Sequence, residues 1–173
     1  MFELICKEVI LENLTTRTEK HGDEDRPAAS LKCAIDVSNQ ILDQFAPGLL
    51  ESLYERKQED QAELIKNDMF PDLKFHHLKP LSFELELEDY RFLIVNNLEH
   101  KNNDHIIPDA TLKNFRFELK DGGSVHVTFT INCAPEPDAI AYFYKQQKHQ
   151  ILVTLEPPEE AQVEDFGEAL NAA

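Results

Sequence analysis

The chain has 173 residues and a mass of 19.9 kDa, the size of one domain with enough chain to bury a core. Apolar residues make up 42% and charged residues 29%, which excludes a chain that is disordered or fibrous throughout. Lys and Arg number 17 against 33 Asp and Glu, a net charge of −16 that speaks against coating duplex DNA by charge alone.

The run Leu4 to Leu11 reads as a strand, and Glu3, Lys7 and Glu8 among the apolar residues of the first thirteen, MFELICKEVILEN, do not suit a signal peptide. A polar extended stretch follows through Thr15, Thr16 and Thr18, and Glu19 to Pro27 carries the clustered charges and glycine of a turn. Leu31, Cys33, Ile35 and Val37 then alternate with Lys32 and Asp36, which predicts a strand with one wet face. Ser38 precedes Ile41, Leu42 and Phe45 at helical spacing and is a candidate N-cap. After Pro47 a second helix would bury Leu49, Leu50, Leu53 and Tyr54, with residues 55–68 as its solvated end or a connection.

In SFELELE, Phe83, Leu85 and Leu87 alternate with Glu84, Glu86 and Glu88. With RFLIV (Arg91 to Val95) beyond a tight Asp89-Tyr90 connection, this predicts a hairpin. Residues 96–109 read as loop. Phe115, Phe117 and Leu119, then Asp121-Gly122-Gly123, then Val125, Val127, Phe129 and Ile131 predict a clearer hairpin. A short helix opened by Pro135 and Pro137 would turn Ile140, Phe143 and Tyr144 inward, and Ile151, Val153 and Leu155 form a last strand. The sum is an α+β fold: a mainly antiparallel β barrel or sandwich, OB-like among the options, of about seven strands with two or three helices. Pro157-Pro158 cannot continue a ladder, so residues 1–157 form one β-rich domain and residues 158–173 an acidic flexible tail.

Catalytic motifs are missing from the sequence. It has no GxSxG elbow, Walker A loop, GxGxxG or HExxH, and of five glycines only Gly122 and Gly123 adjoin. Cys6, Cys33 and Cys133 lie in or beside apolar strands, where a thiol acts as a small hydrophobe, and no CxxC pair exists. His76-His77 and the group His100, Asp104, His105 and Asp109 come nearest to a metal set, but without the i,i+4 helical spacing. Glu84, Glu86 and Glu88 are explained as the wet face of a strand rather than as paired catalytic acids. The expectation is no catalysis, no metal and no cofactor.

Binding is the remaining class. Residues 101–150 are electrically balanced, and the outer face of their hairpin would carry Asn114, Arg116, Glu118 and Lys120 beside His126, Thr128 and Thr130. Such a face can meet phosphates, with Tyr90 or Phe92 on a neighbouring strand stacking a base. In the tail, Glu164 and Asp165 could steer a basic protein partner while Phe166 anchors it. Alternatively Glu84, Glu86, Glu88 and the charges between Glu51 and Asp72 could imitate a phosphate backbone toward a basic cleft. An exposed edge over Leu87 to Val95 could pair two copies as a homo-oligomer.

The stretches Thr16 to Glu24, Pro27 to Lys32, Ser38-Asn39 with Leu42, Phe45, Pro47 and Leu53-Tyr54, and Gly122 to Val125 with Phe129 resemble a family of small phage and prophage proteins over most of residues 10–158. That resemblance implies no site residue. In plan, a β-rich core followed by an acidic tail with an aromatic, the chain also resembles phage single-stranded-DNA-binding proteins. What this implies is a non-catalytic accessory protein of DNA metabolism in the cytoplasm of a bacterial host, holding single-stranded DNA on the sheet face and recruiting partners through the tail, with no membrane role. An acidic interaction module, or DNA mimic directed at a host enzyme, and a virion structural subunit are the alternatives. Residues 1–150 still carry −10, which counts against strong DNA binding.

Overall fold

The computed structural model describes residues 2–21, 24–55, 72–95 and 104–158. A long hairpin of β1 (Leu4–His21) and β2 (Glu24–Ser38) leads into a 3-10 turn, α1 (Leu42–Phe45) and α2 (Leu49–Leu53). β3 (Tyr54–Glu55) pairs with β4 (Asp72–Leu73). β5 (Leu81–Phe83), β6 (Leu87–Val95), β7 (His105–Lys120), β8 (Ser124–Cys133), α3 (Pro137–Gln146) and β9 (Gln150–Glu156) follow.

Six strands close an antiparallel barrel in the order β1-β2-β8-β7-β6-β9 and back to β1. β6, β7 and β8 are sequential neighbours, and β9 returns through α3 to lie beside β6, which makes a Greek key. The α+β antiparallel barrel expected from the sequence is what forms; it is OB-like in closure, with six strands rather than five.

Period-two alternation fills the interior. In β8, Val125, Val127, Phe129, Ile131 and Cys133 are buried and the residues between them are half exposed. Asp121-Gly122-Gly123 makes the turn into β8, with Gly122 at φ +88° and Gly123 at +77°, a left-handed path that side chains disfavour. α3 and β3 reach opposite ends of β7. Tyr142 of α3 meets His105, while buried Tyr54 donates its hydroxyl to the carbonyls of Lys120 and Ser124. Phe143 stacks parallel to Phe92 at 6.2 Å, and Phe45 of α1 touches Phe2, Phe83, Phe115 and Phe117 edge-on or tilted. Ser38 caps the 3-10 turn through the N–H of Gln40, as its position suggested.

Several local expectations are corrected. SFELELE and RFLIV do not form a hairpin with each other. β5 and β6 both pair with the same edge of β7, so they are one interrupted strand whose break falls at residues 84–86. Leu85, in that break, is exposed rather than in the core. Asp89 is not a turn but a left-handed residue (φ +59°) inside β6, at the register shift between Leu87 and Tyr90, and Asp109 (φ +56°) of β7 falls at the next shift, between Tyr90 and Phe92. Such bulges bend a strand enough to close a barrel, and Asp tolerates the conformation. β7 starts at His105, inside the stretch read as loop, because Ile107 is drawn into the core. β1 and β2 continue to His21 and Glu24, through the stretch read as a turn. On α3 the inner residues are Ala139 and Phe143, while Tyr144 stands exposed. Residues 56–68 of the expected helical extension lie outside the described residues.

Burial also sorts the three thiols. Cys33 is pushed well above the ordinary thiol value by desolvation, and Cys133 up to about 12 by the same cause, whereas Cys6 is exposed. Titration with an aromatic disulfide should therefore label one thiol in the native protein and all three in denaturant. Rapid native labelling of two or more would contradict the burial of the pair.

Candidate functional site

Outside the barrel, β2, β8, β7 and β5 present a continuous face with a groove of about 870 Å³. Antiparallel register sets its chemistry in rows. Lys32, Thr130 and Lys113 lie side by side; next come Thr128, Arg116 and Ser82; next Asp36, His126 and Glu118; then Ser38, Ser124 and Lys120. One wall is the strand break at residues 84–86. It faces a second irregularity, the left-handed Asn114 (φ +57°), where β7 gains a residue against β8. Asn114 donates its side-chain amide to the Thr130 hydroxyl at 3.5 Å.

The lysines of this face are all paired. Lys32 pairs with Glu12 at 2.8 Å and Lys113 with Glu86 at 3.7 Å. Asp36 receives both Lys120 Nζ (2.7 Å) and His126 Nδ1 (2.9 Å) on one carboxylate oxygen. Of the groove's four basic side chains, Lys32, Lys113, Arg116 and His126, only Arg116 lacks a partner among the described residues. It is also exposed.

The double contact holds the Asp36 carboxyl below its ordinary value of 3.8, through the Lys120 hydrogen bond first and the His126 hydrogen bond second. A carboxyl with a lowered folded value contributes stability above the unfolded value and loses it as pH falls through the folded one. Asp36→Asn should therefore flatten the acid limb of stability below pH 3.8, an effect under about 1 kcal/mol because the pair is solvated. Urea midpoints from neutral pH down to the acid limb give the slope; an unchanged slope would contradict the pairing.

Of the residues singled out from sequence, Arg116 and His126 line the groove and Lys120 stands in the adjoining row, tied to Asp36. Tyr90 and Phe92 do not belong to it. They are 1% and 0% exposed and point into the barrel, Tyr90 donating its hydroxyl to the Phe2 carbonyl at 2.8 Å, so neither ring can meet a base. Glu164, Asp165 and Phe166 lie outside the described residues. Sequence reasoning placed Asn114 and Glu118 on this face but missed Asp36, Glu12 and Lys113 as site residues. Lys32 and Asp36 were legible as wet-face neighbours, but their cross-strand company depends on a register that only the assembled sheet sets.

Among the described residues no three His, Cys, Asp or Glu side chains are grouped to hold a metal. No helix among them is long and apolar enough to cross a membrane. Compared with protein-family models, curated proteins and solved structures, the chain has no match.

Proposed function

We propose that this is a non-catalytic binding module whose outer groove seats a short, extended segment of a partner protein. The observation that carries the reading is the charge pattern: one guanidinium, Arg116, is left unmatched in a groove whose two lysines, Lys32 and Lys113, are each already paired with a glutamate. A polyanion would have to break those pairs along its length, whereas a polypeptide need supply one carboxylate to Arg116. Its main-chain groups would find Ser82, Asn114, Thr128 and Thr130, and its basic side chains Glu84 and Glu118. It is an interaction module, as one of the sequence alternatives was, but it differs in that the partner supplies a carboxylate to Arg116 rather than a basic cleft to Glu84, Glu86 and Glu88.

The test is selection from an mRNA-displayed random peptide library against the full chain. Peptides enriched by the wild type should share an acidic residue and lose about tenfold or more in affinity against Arg116→Glu. Enriched peptides that bind the variant equally well would overturn the reading.

Single-stranded DNA is the second reading, favoured by the free Arg116 on the face of an OB-like barrel. It calls for oligo-dT binding that weakens steeply with salt.

A further inference from the structure

The β1–β2 hairpin outruns the barrel. β2 last pairs with β8 at Ala29, and β1 last pairs with β9 at Ile10. Beyond them five residue pairs, from Arg17 with Ala28 to His21 with Glu24, form a two-stranded arm about 17 Å long. Thr15, Thr16, Arg17 and Thr18 on one strand and Asp25, Arg26 and Pro27 on the other are exposed, and of the arm's described side chains only Ala28 at its base is buried. A ribbon of two strands without a packed face is marginal in water.

Its two edges differ. On β2, Pro27 blunts the outer edge. Because Pro27 has no N–H, its pair with Thr18 is one in which the main-chain groups of both residues turn away from each other. The N–H and C=O of Thr18, and of Thr16 and Lys20 two residues either side, therefore point out from the free edge of β1. Among the described residues no strand pairs with this edge. α3 meets it through Gln147 on Asn13 and Tyr144 on Thr16.

We infer that the β1 edge pairs antiparallel with the β1 edge of a second copy, about a twofold axis at Thr18. That register makes Thr18 face its own copy, and Thr16 face Lys20, as hydrogen-bonded pairs, about six main-chain bonds across the axis. Arg17 then falls opposite Glu19 of the second copy, and Glu19 opposite Arg17, as close non-hydrogen-bonded pairs. The two side chains already share a face, since Arg17 Nε donates to Glu19 Oε1 of its own strand at 2.6 Å. The edge is complementary to itself in charge as well as in hydrogen bonding, a requirement of a twofold interface.

Sedimentation equilibrium of the full chain at high micromolar concentration tests this, with circular dichroism checking the fold of each variant. Wild type should sediment as a dimer. Thr18→Pro removes only an outward N–H and should give a folded monomer. Arg17→Glu places like charges opposite each other twice per dimer and should weaken association about tenfold or more. Combining Arg17→Glu with Glu19→Arg restores opposite charges and should restore the dimer. A monomeric wild type, or a dimer indifferent to both Thr18→Pro and Arg17→Glu, would overturn the inference.

Discussion

Replacing Phe115 with Ala should cost about 3–5 kcal/mol, a large part of the roughly 5–15 kcal/mol that holds a domain of this kind together. Phe115 is fully buried and lies where three rings converge: Phe45 at 5.0 Å, Phe2 at 5.2 Å and Phe129 at 6.0 Å. These rings come from α1, the N-terminal segment, β7 and β8, elements that cannot all move inward at once. The cavity would therefore persist, and both the transfer loss and the cavity cost apply. The melting midpoint should fall by on the order of 10 °C. Phe75→Ala is the matched control, because that ring is 55% exposed and its loss should cost no more than about 0.5 kcal/mol. A Phe115→Ala midpoint within a degree or two of wild type would mean that the aromatic cluster does not anchor the barrel.

Tyr90→Phe should lower stability by about 1–3 kcal/mol, because deleting one oxygen leaves the Phe2 carbonyl buried without its donor. The same hydroxyl gives a signature in alkali. Burial first, and the nearby Glu3 charge second, push it from 10.0 up to about 12. A group whose folded value is raised contributes stability that is complete below the unfolded value and is lost as pH climbs through the folded one. Wild type should therefore lose stability between pH 10 and about 12 more steeply than Tyr90→Phe, which lacks this group. Denaturant midpoints measured across that window decide it. Parallel pH curves for the two proteins would contradict a buried, hydrogen-bonded Tyr90.

These two residues also show what could be read before the fold was seen. Leu31, Cys33 and Ile35 alternate with Lys32 and Asp36, and the Asp-Gly-Gly turn separates two alternating runs, so β8 and the C-terminal parts of β2 and β7 were legible from pattern alone. In RFLIV both faces are apolar: Phe92 and Ile94 turn inward, Leu93 and Val95 half outward. Only the charge of Arg91, which meets Glu156 at 2.7 Å on the surface, marks the outer side. That single signal would have placed Tyr90 and Phe92 in the core. The break at residues 84–86 was hidden for the opposite reason, since Glu-Leu-Glu continues the alternation that the backbone abandons. Bulge positions such as Asn114 and Asp109 follow from barrel closure, which no local window contains. The arm was missed because it has no buried face, and hence no hydrophobic period to detect.

The groove was legible only in part. Arg116, Lys120 and His126 were correctly read as outward-facing, but Asp36, which engages Lys120 and His126 and leaves Arg116 alone, lies 84 and 90 residues from those two in the chain.

Fluorescence anisotropy with full-length protein, comparing labelled oligo-dT with a groove-selected acidic peptide at low salt, tests the claim that this face serves a polypeptide and not a polyanion. The account predicts micromolar peptide binding that Arg116→Glu abolishes, and no oligonucleotide binding at the same protein concentration. Salt-sensitive oligo-dT binding that disappears in Arg116→Glu would contradict it.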